Sequence, residues 1–257
     1  MKPEQDINFD LGLPIDDLPK TNNCIIKVIG VGGGGGNAVN HMYREGIHDV
    51  SYVVCNTDKK ALDDSAVPNH LQLGNDGLGA GNRPEKARQA AEQSMDAIKE
   101  MLNDGTRMVF ITAGMGGGTG TGASPVIAKI AHDLGILTVA VVTMPLRMEG
   151  PSRYQNAVSG LNELNPCVDS LLVIDNERVR SMYGKLPLKD AFGKADDVLG
   201  MATKGIAELI TVEFALVRVD FADVEKVMRG SGRAHMSVVN ASGENRALQV
   251  AEGALSS

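Results

Sequence analysis

From Cys24 onward the chain alternates short, mainly apolar runs with segments of helical spacing. The runs are IIKVIGV (25–31), VSYVVCN (50–56), RMVFIT (107–112), ILTVAVVT (136–143) and SLLVID (170–175). Strands buried on both faces and separated by helices form a parallel sheet of βαβ units, so an α/β fold of Rossmann type is expected. Between the second and third runs, Pro84 opens a stretch with Ala87, Ala91, Ile98 and Met101 on one face and Gly105 beyond its end, which predicts one continuous helix. Val126, Ile127, Ile130 and Leu134 predict another over about 123–134, stopped by Gly135. Val198, Ala202, Ile206 and Leu209 predict a buried connecting helix over about 197–210.

After that helix the rhythm stops. Residues 218–257 offer a turn with acids (VDFADVEKVM), one possible strand (AHMSVV) and a helical ENRALQVAEGAL. About forty residues with a single strand cannot enclose a core alone, so a small, incomplete second domain is expected there. At the other end, Glu4, Asp6, Asp10, Asp16 and Asp17 stand against Lys2 and Lys20 with few apolar residues, which predicts a flexible acidic tail over 1–23. The expected organisation is thus the tail, a sheet-centred domain over 24–196, the connecting helix and its following segment over 197–217, and the partial domain over 218–257.

Charge narrows the chemistry. Lys plus Arg number 25 against 32 Asp plus Glu, a formal charge of -7, and no stretch concentrates the cations, which argues against nucleic acid or an anionic membrane as partner. Cys24, Cys55 and Cys167 lack a C-x-x-C spacing, and the five histidines lack ligand spacing, so neither a disulfide framework nor a metal site is indicated and a reducing cytoplasm is expected. The sequence carries no basic-then-apolar leader and no run of about 18 apolar residues, so neither export nor membrane insertion is expected.

Glycine is concentrated in two places. Gly30-Val31-Gly32-Gly33-Gly34-Gly35-Gly36-Asn37 follows the first strand and opens a helix, satisfying G-x-G-x-x-G at Gly30, Gly32 and Gly35. A tight turn alone does not need five consecutive glycines; backbone N–H groups approaching a phosphate at a helix start do. Gly114-Met115-Gly116-Gly117-Gly118-Thr119-Gly120-Thr121-Gly122 stands in the same relation to the third strand. Two such turns at one end of a parallel sheet converge on the crevice where these sheets bind ligands. A dinucleotide oxidoreductase would use one glycine turn and an acid ending the second strand, which Asp58 could supply, but has no use for GGGTGTG. No lysine follows either cluster, which excludes a Walker site.

GMGGGTGTG (114–122) resembles the signature loop of the tubulin and FtsZ superfamily. GVGGGGGNAVN, GAGNRPE, MEGPSR, DNERV, DAFGKADDVL and VDFADV are similar, in order, to successive loops of the FtsZ family of bacterial tubulin-like cell-division GTPases, from about Ile25 to Ala254. The resemblance implies that Gly32, Gly33, Gly34 and Asn37 hold the phosphates of GTP or GDP, with Ala80 and Gly81 closing over the terminal one. Gly116, Gly117, Gly118, Thr119 and Gly120 would wrap the remaining phosphates, and Mg2+ would accompany the triphosphate. It further implies ribose contacts from Glu149, Arg153 and Asn176, stacking of guanine on Phe192, and reading of guanine by Asp196, whose carboxylate would accept its N1–H and 2-amino group.

In that family an N-x-D-x-x-D loop enters the nucleotide pocket of the next subunit and its acids act on the attacking water, roles that fall to Asp220 and Asp223. Self-association into filaments follows, together with other division proteins as partners and a place in the cytoplasm at the division site. The family's asparagine is Arg218 here, PLRMEG lacks a usual aromatic, VEF replaces a glycine turn, and the family's further strands past the ENRA helix are missing; weakened hydrolysis is the expectation. A nucleotide-binding, non-hydrolysing filament capper is the alternative reading, with an oxidoreductase behind it.

Overall fold

The computed structural model describes residues 24–46, 50–183, 188–211, 219–233 and 239–256. The expected tail over 1–23, Arg218 and most of the AHMSVV segment lie outside the described residues. β1 (Ile26–Val31) runs straight into α1 (Gly32–Glu45); β2 (Val50–Asn56), α2 (Lys59–Asp63) and the short β3 (His70–Gln72) follow. Next come α3 (Pro84–Gln93), α4 (Met95–Leu102), β4 (Met108–Gly114), α5 (Thr119–Asp133), β5 (Leu137–Met144), α6 (Pro151–Leu164) and β6 (Ser170–Asp175). The chain continues through α7 (Asn176–Tyr183), α8 (Leu188–Thr211), α9 (Phe221–Met228), β7 (Gly232–Arg233) and α10 (Arg246–Ser256).

The strands form one sheet in the order β3-β2-β1-β4-β5-β6-β7, and every neighbouring pair is parallel. The chain winds outward from β1 in one direction and from β4 in the other, so the topological switch falls between these two central strands. Alternation along β4 explains the layers: Met108 and Phe110 join the core beneath α1 and α8, while Val109 and Ile111 join the core beneath α4, α5 and α6. Both faces are covered, as the uninterrupted apolar runs required.

Lys27 is the one charge inside β1, β2, β4 and β5, and it is 2% exposed. Its ammonium donates to Asp104 Oδ2 at 2.6 Å and to the carbonyl of Met101, closing the C-terminal turn of α4. Burial alone would raise the Asp104 carboxyl, but bonds from Lys27 and Thr106 outweigh it and hold that group below the usual carboxylate range.

Three local expectations are corrected. The helix expected from Pro84 onward breaks at Ser94 (φ -102°, ψ 15°), whose hydroxyl leaves the helical pattern to accept from Gly74 N at 2.9 Å. α5 starts at Thr119, not near Ala123, because the glycine-rich segment is itself the first turn. Gly32–Gly36 open α1, as expected. The connecting helix starts at Leu188, earlier than its apolar stripe indicated.

Space decides most of these glycines. A Cβ on Gly35 would stand 2.2 Å from Thr112 O, and one on Gly32, at φ +72°, would stand 2.7 Å from Gly120 N. On Gly122 it would meet Pro84 O at 1.9 Å, so α3 and α5 touch through bare backbone. Gly33 and Gly117 are different: nothing lies within 4 Å of a Cβ built on either. Gly35→Ala should therefore lower stability by about 2 kcal/mol or more through overpacking. Gly33→Ala should leave it unchanged or raise it by up to about 1 kcal/mol through helix propensity. Urea midpoints of the two variants measure the contrast.

Candidate functional site

The carboxyl ends of β1 and β4 lie side by side, Gly30 opposite Thr112 and Val31 opposite Ala113, and a helix starts just beyond each. α1 and α5 both begin without a side-chain cap and without an acid in the first turn. By contrast Asp58 caps α2 and Asp220 caps α9. An uncapped start leaves backbone N–H groups without helical partners and carries about half a positive charge. Two adjacent starts form an anion site from backbone alone, which is why no lysine is required.

A cavity of about 390 Å³ opens between them, within the ordinary size range for ligand sites. Gly33, Gly34 and Asn37 line it from α1; Gly117, Gly118, Thr119 and Gly120 line it from the turn into α5. Glu149, Arg153 and Asn176 form the opposite wall. Residues expected from four separate motifs thus meet around one space. Arg153 is the single cation of that lining, and its Nη1 is 2.6 Å from Glu149 Oε2. The other carboxylate oxygen of Glu149 accepts from Leu146 N at 2.8 Å, so this acid fixes both the turn and the arginine. Asn176 Oδ1 is buried without a hydrogen-bond partner. A buried acceptor left open costs about 1–3 kcal/mol, which a ligand hydroxyl would offset.

Other expected residues stand behind or beside the cavity. Gly32 and Gly116 do not line it: Gly32 packs on Gly120, and Gly116 packs on Arg153 O while donating its N–H to Thr121 Oγ1 at 2.8 Å. Ala80 and Gly81 are not in the lining either; Ala80 abuts Gly118, so their loop borders the turn into α5. The Thr119 hydroxyl already pairs with Thr57 Oγ1 at 2.7 Å. Thr143 and Pro145 line the cavity and were not anticipated, although Thr143 ends β5 beside Gly114, where a parallel sheet places its ligand contacts. Phe192 and Asp196 lie on α8 with side chains outside the described residues. Asp58, the acid that would serve a dinucleotide's ribose, is occupied in accepting from Lys60 N and Ala61 N.

Asp220 and Asp223 are far from this cavity. α9 packs under the amino ends of the strands: Arg107, just before β4, lies over the Phe221 ring at 4.4 Å, and Arg229 donates to the carbonyl of Gly135, just before β5, at 3.1 Å. Seven or eight residues of strand separate that edge from the cavity, about 25 Å at ~3.3 Å per residue. Both acids are exposed, and Asp220 Oδ1 accepts from Asp223 N at 2.9 Å.

Among the described residues no group of three His, Cys, Asp or Glu side chains could hold a metal, and no helix is long and apolar enough to cross a membrane. The sequence pattern of the Tubulin/FtsZ family, GTPase domain, matches residues 25–184. The cell division protein FtsZ of Porphyromonas gingivalis is 51% identical over 98% of this chain and 54% of its own length. That of Buchnera aphidicola subsp. Schizaphis graminum is 53% identical over 92% and 62%. The chain therefore spans about half to two thirds of the length of these relatives. An empty FtsZ dimer from M. jannaschii superposes with a TM-score of 0.83 at 43% identity, covering 90% of this chain and 68% of that one. A GTPγS-bound protofilament of CetZ2 from Haloferax volcanii gives 0.67 at 26% identity, with 81% and 64% covered. The chain belongs to the Tubulin/FtsZ family and carries that family's GTPase domain.

Proposed function

We propose that this protein binds GTP in the cavity at the switch point, assembles head to tail as a cell-division filament, and hydrolyses the nucleotide at the junction between copies. The observation that carries the reading is the separation of cavity and acids to opposite ends of one parallel sheet. A heterologous contact between identical chains brings one copy's acid end onto the next copy's cavity and repeats without closing. The CetZ2 protofilament with bound GTPγS supports nucleotide binding together with assembly, and the FtsZ dimer supports self-association.

In this reading the open starts of α1 and α5 hold the phosphate charge, with Gly33 and Gly117 giving the backbone room to approach. Asn176 accepts from a ribose hydroxyl, Arg153 is held toward the cavity by Glu149, and Phe192 and Asp196 contact guanine. Mg2+ enters with the triphosphate, whose oxygens and bound water supply its ligands. Asp220 and Asp223 of the adjoining copy orient and polarise the attacking water, and the cap bond between them fixes their relative placement. The cytoplasm, and other division proteins as partners, complete this assignment.

Titration of the unassembled protein should show GTP binding at least about a hundredfold tighter than ATP, since a mismatched acceptor edge would face Asp196 unpaired. Gly33→Ala should weaken GTP binding about tenfold, by ~1.4 kcal/mol; equal binding of both nucleotides counts against the guanine assignment. Asp223→Ala should keep GTP affinity within about twofold while turnover in sedimentable assemblies falls about a hundredfold or more. Loss of binding would place the acids in the wrong pocket, and near-zero turnover of the unaltered protein at every concentration would favour a filament capper. Arg218→Asn should raise turnover severalfold by removing the cation two residues before Asp220 in the chain, and an unchanged rate would clear Arg218 of an inhibitory role.

A further inference from the structure

α9 carries both acids, yet Phe221 and Val224 are the only buried residues it contributes. With Met228 only partly buried beside them, so few side chains leave its angle to the sheet weakly determined. The acids lie at its amino end, around Phe221, and its hydrogen-bonded anchorage lies at the other. An eight-residue helix is about 12 Å long, so a tilt of about 10° at the rear moves the front by about 2 Å. A misplacement of about 1 Å can cost a reaction about a hundredfold.

The rear anchorage centres on Asp169, a carboxylate only 3% exposed. Its Oδ2 accepts from Thr138 N at 2.9 Å, at the head of β5, and its Oδ1 accepts from Gly230 N at 3.1 Å, two residues past α9. Its backbone N–H donates to Thr138 O, and its carbonyl accepts from Gly232 N, each at 2.8 Å. Arg229 Nη1 stands 3.9 Å from Oδ2, while Nη2 donates to Glu225 Oε1 at 2.5 Å, one turn back on α9. At the front, Arg107 stacks on Phe221 and its Nη2 is 4.0 Å from Glu225 Oε2. Phe221 and Glu225 therefore mark the inner face of the helix, and Asp223, two residues from each, is carried on the outer one. A buried carboxylate is expensive unless its bonds are made. Here they join the head of a central strand to the turn that ends the acid-bearing helix.

We propose that Asp169 is a positioning residue for the junction: it sets the angle of α9, and hence of Asp220 and Asp223, so its loss impairs hydrolysis in the neighbouring copy and not nucleotide binding in its own. This rests on the head-to-tail reading of the preceding subsection. Asp169→Asn turns an amide NH2 toward one of two N–H donors while keeping the shape. Expected are a GTP affinity of the unassembled protein, a KM and a sedimented mass each within about twofold of the parent, with kcat lowered about tenfold or more.

Mixing distinguishes positioning from general damage. In equimolar filaments of Asp169→Asn and Asp223→Ala, every junction receives displaced or missing acids, and no activity should return. If Asp169 served only its own cavity, junctions pairing an intact cavity with intact acids would restore about a quarter of the parent rate, and the proposal is overturned. Should Asp169→Asn not fold, Arg229→Met removes the exposed half of the same anchorage; a severalfold lower kcat at equal polymer mass supports the proposal and an unchanged kcat overturns it. Full turnover in Asp223→Ala alone sinks the head-to-tail reading itself, and the proposal with it, independently of any Asp169 result.

Discussion

The contact on which this structure depends is the approach of α1 to β4 with no side chain between them. Gly35 lies so close to Thr112 O that a single added carbon would overlap it, and Gly32 meets the backbone of Gly120 in the same way. This fit brings two helix starts to one point at the centre of the sheet. Because both starts are uncapped, their combined field and open N–H groups face the same cavity. The proposed recognition of an anion is thus a consequence of packing: the glycines that let the helices close on the strands also aim them.

The glycines divide by function along that seam. Those at 32, 35, 120 and 122 are required by neighbouring backbone, whereas Gly33 and Gly117 face open space in the cavity wall or its rim. The same economy holds for the acids. Asp58 and Asp220 are both helix caps, yet one is absorbed by its helix beside the cavity while the other stands exposed at the far end of the sheet. A parallel sheet has two chemically different ends, and this chain places two uncapped helix starts at one and carboxylates at the other. That polarity gives head-to-tail association a physical basis, and Asp169 ties the carboxylate end to the strands that reach the anion end.

Much of this was legible in the residues. The apolar runs located the five longer strands because strands buried on both faces admit almost no polar residue, and the two glycine clusters located the helix starts that border the cavity. The short β3 and β7 carried no signal: three and two residues are too few for any period to register. The helix expected from Pro84 onward was read as continuous because its apolar stripe continues past Ser94; only Gly74 N, brought in from a distant loop, shows why it breaks there.

The sequence by itself determined which segments bury both faces, where backbone must be bare, and which family the loops resemble, since these follow from local composition and order. Tertiary structure alone decided which glycines are held by packing and which face open space, that Glu149 is engaged with Arg153 and Leu146, and that Asp220 and Asp223 cannot reach their own chain's cavity. The reason is distance: periodicity records which side a residue faces, but not which remote backbone atom occupies the space beside it or at which end of the sheet its helix comes to rest.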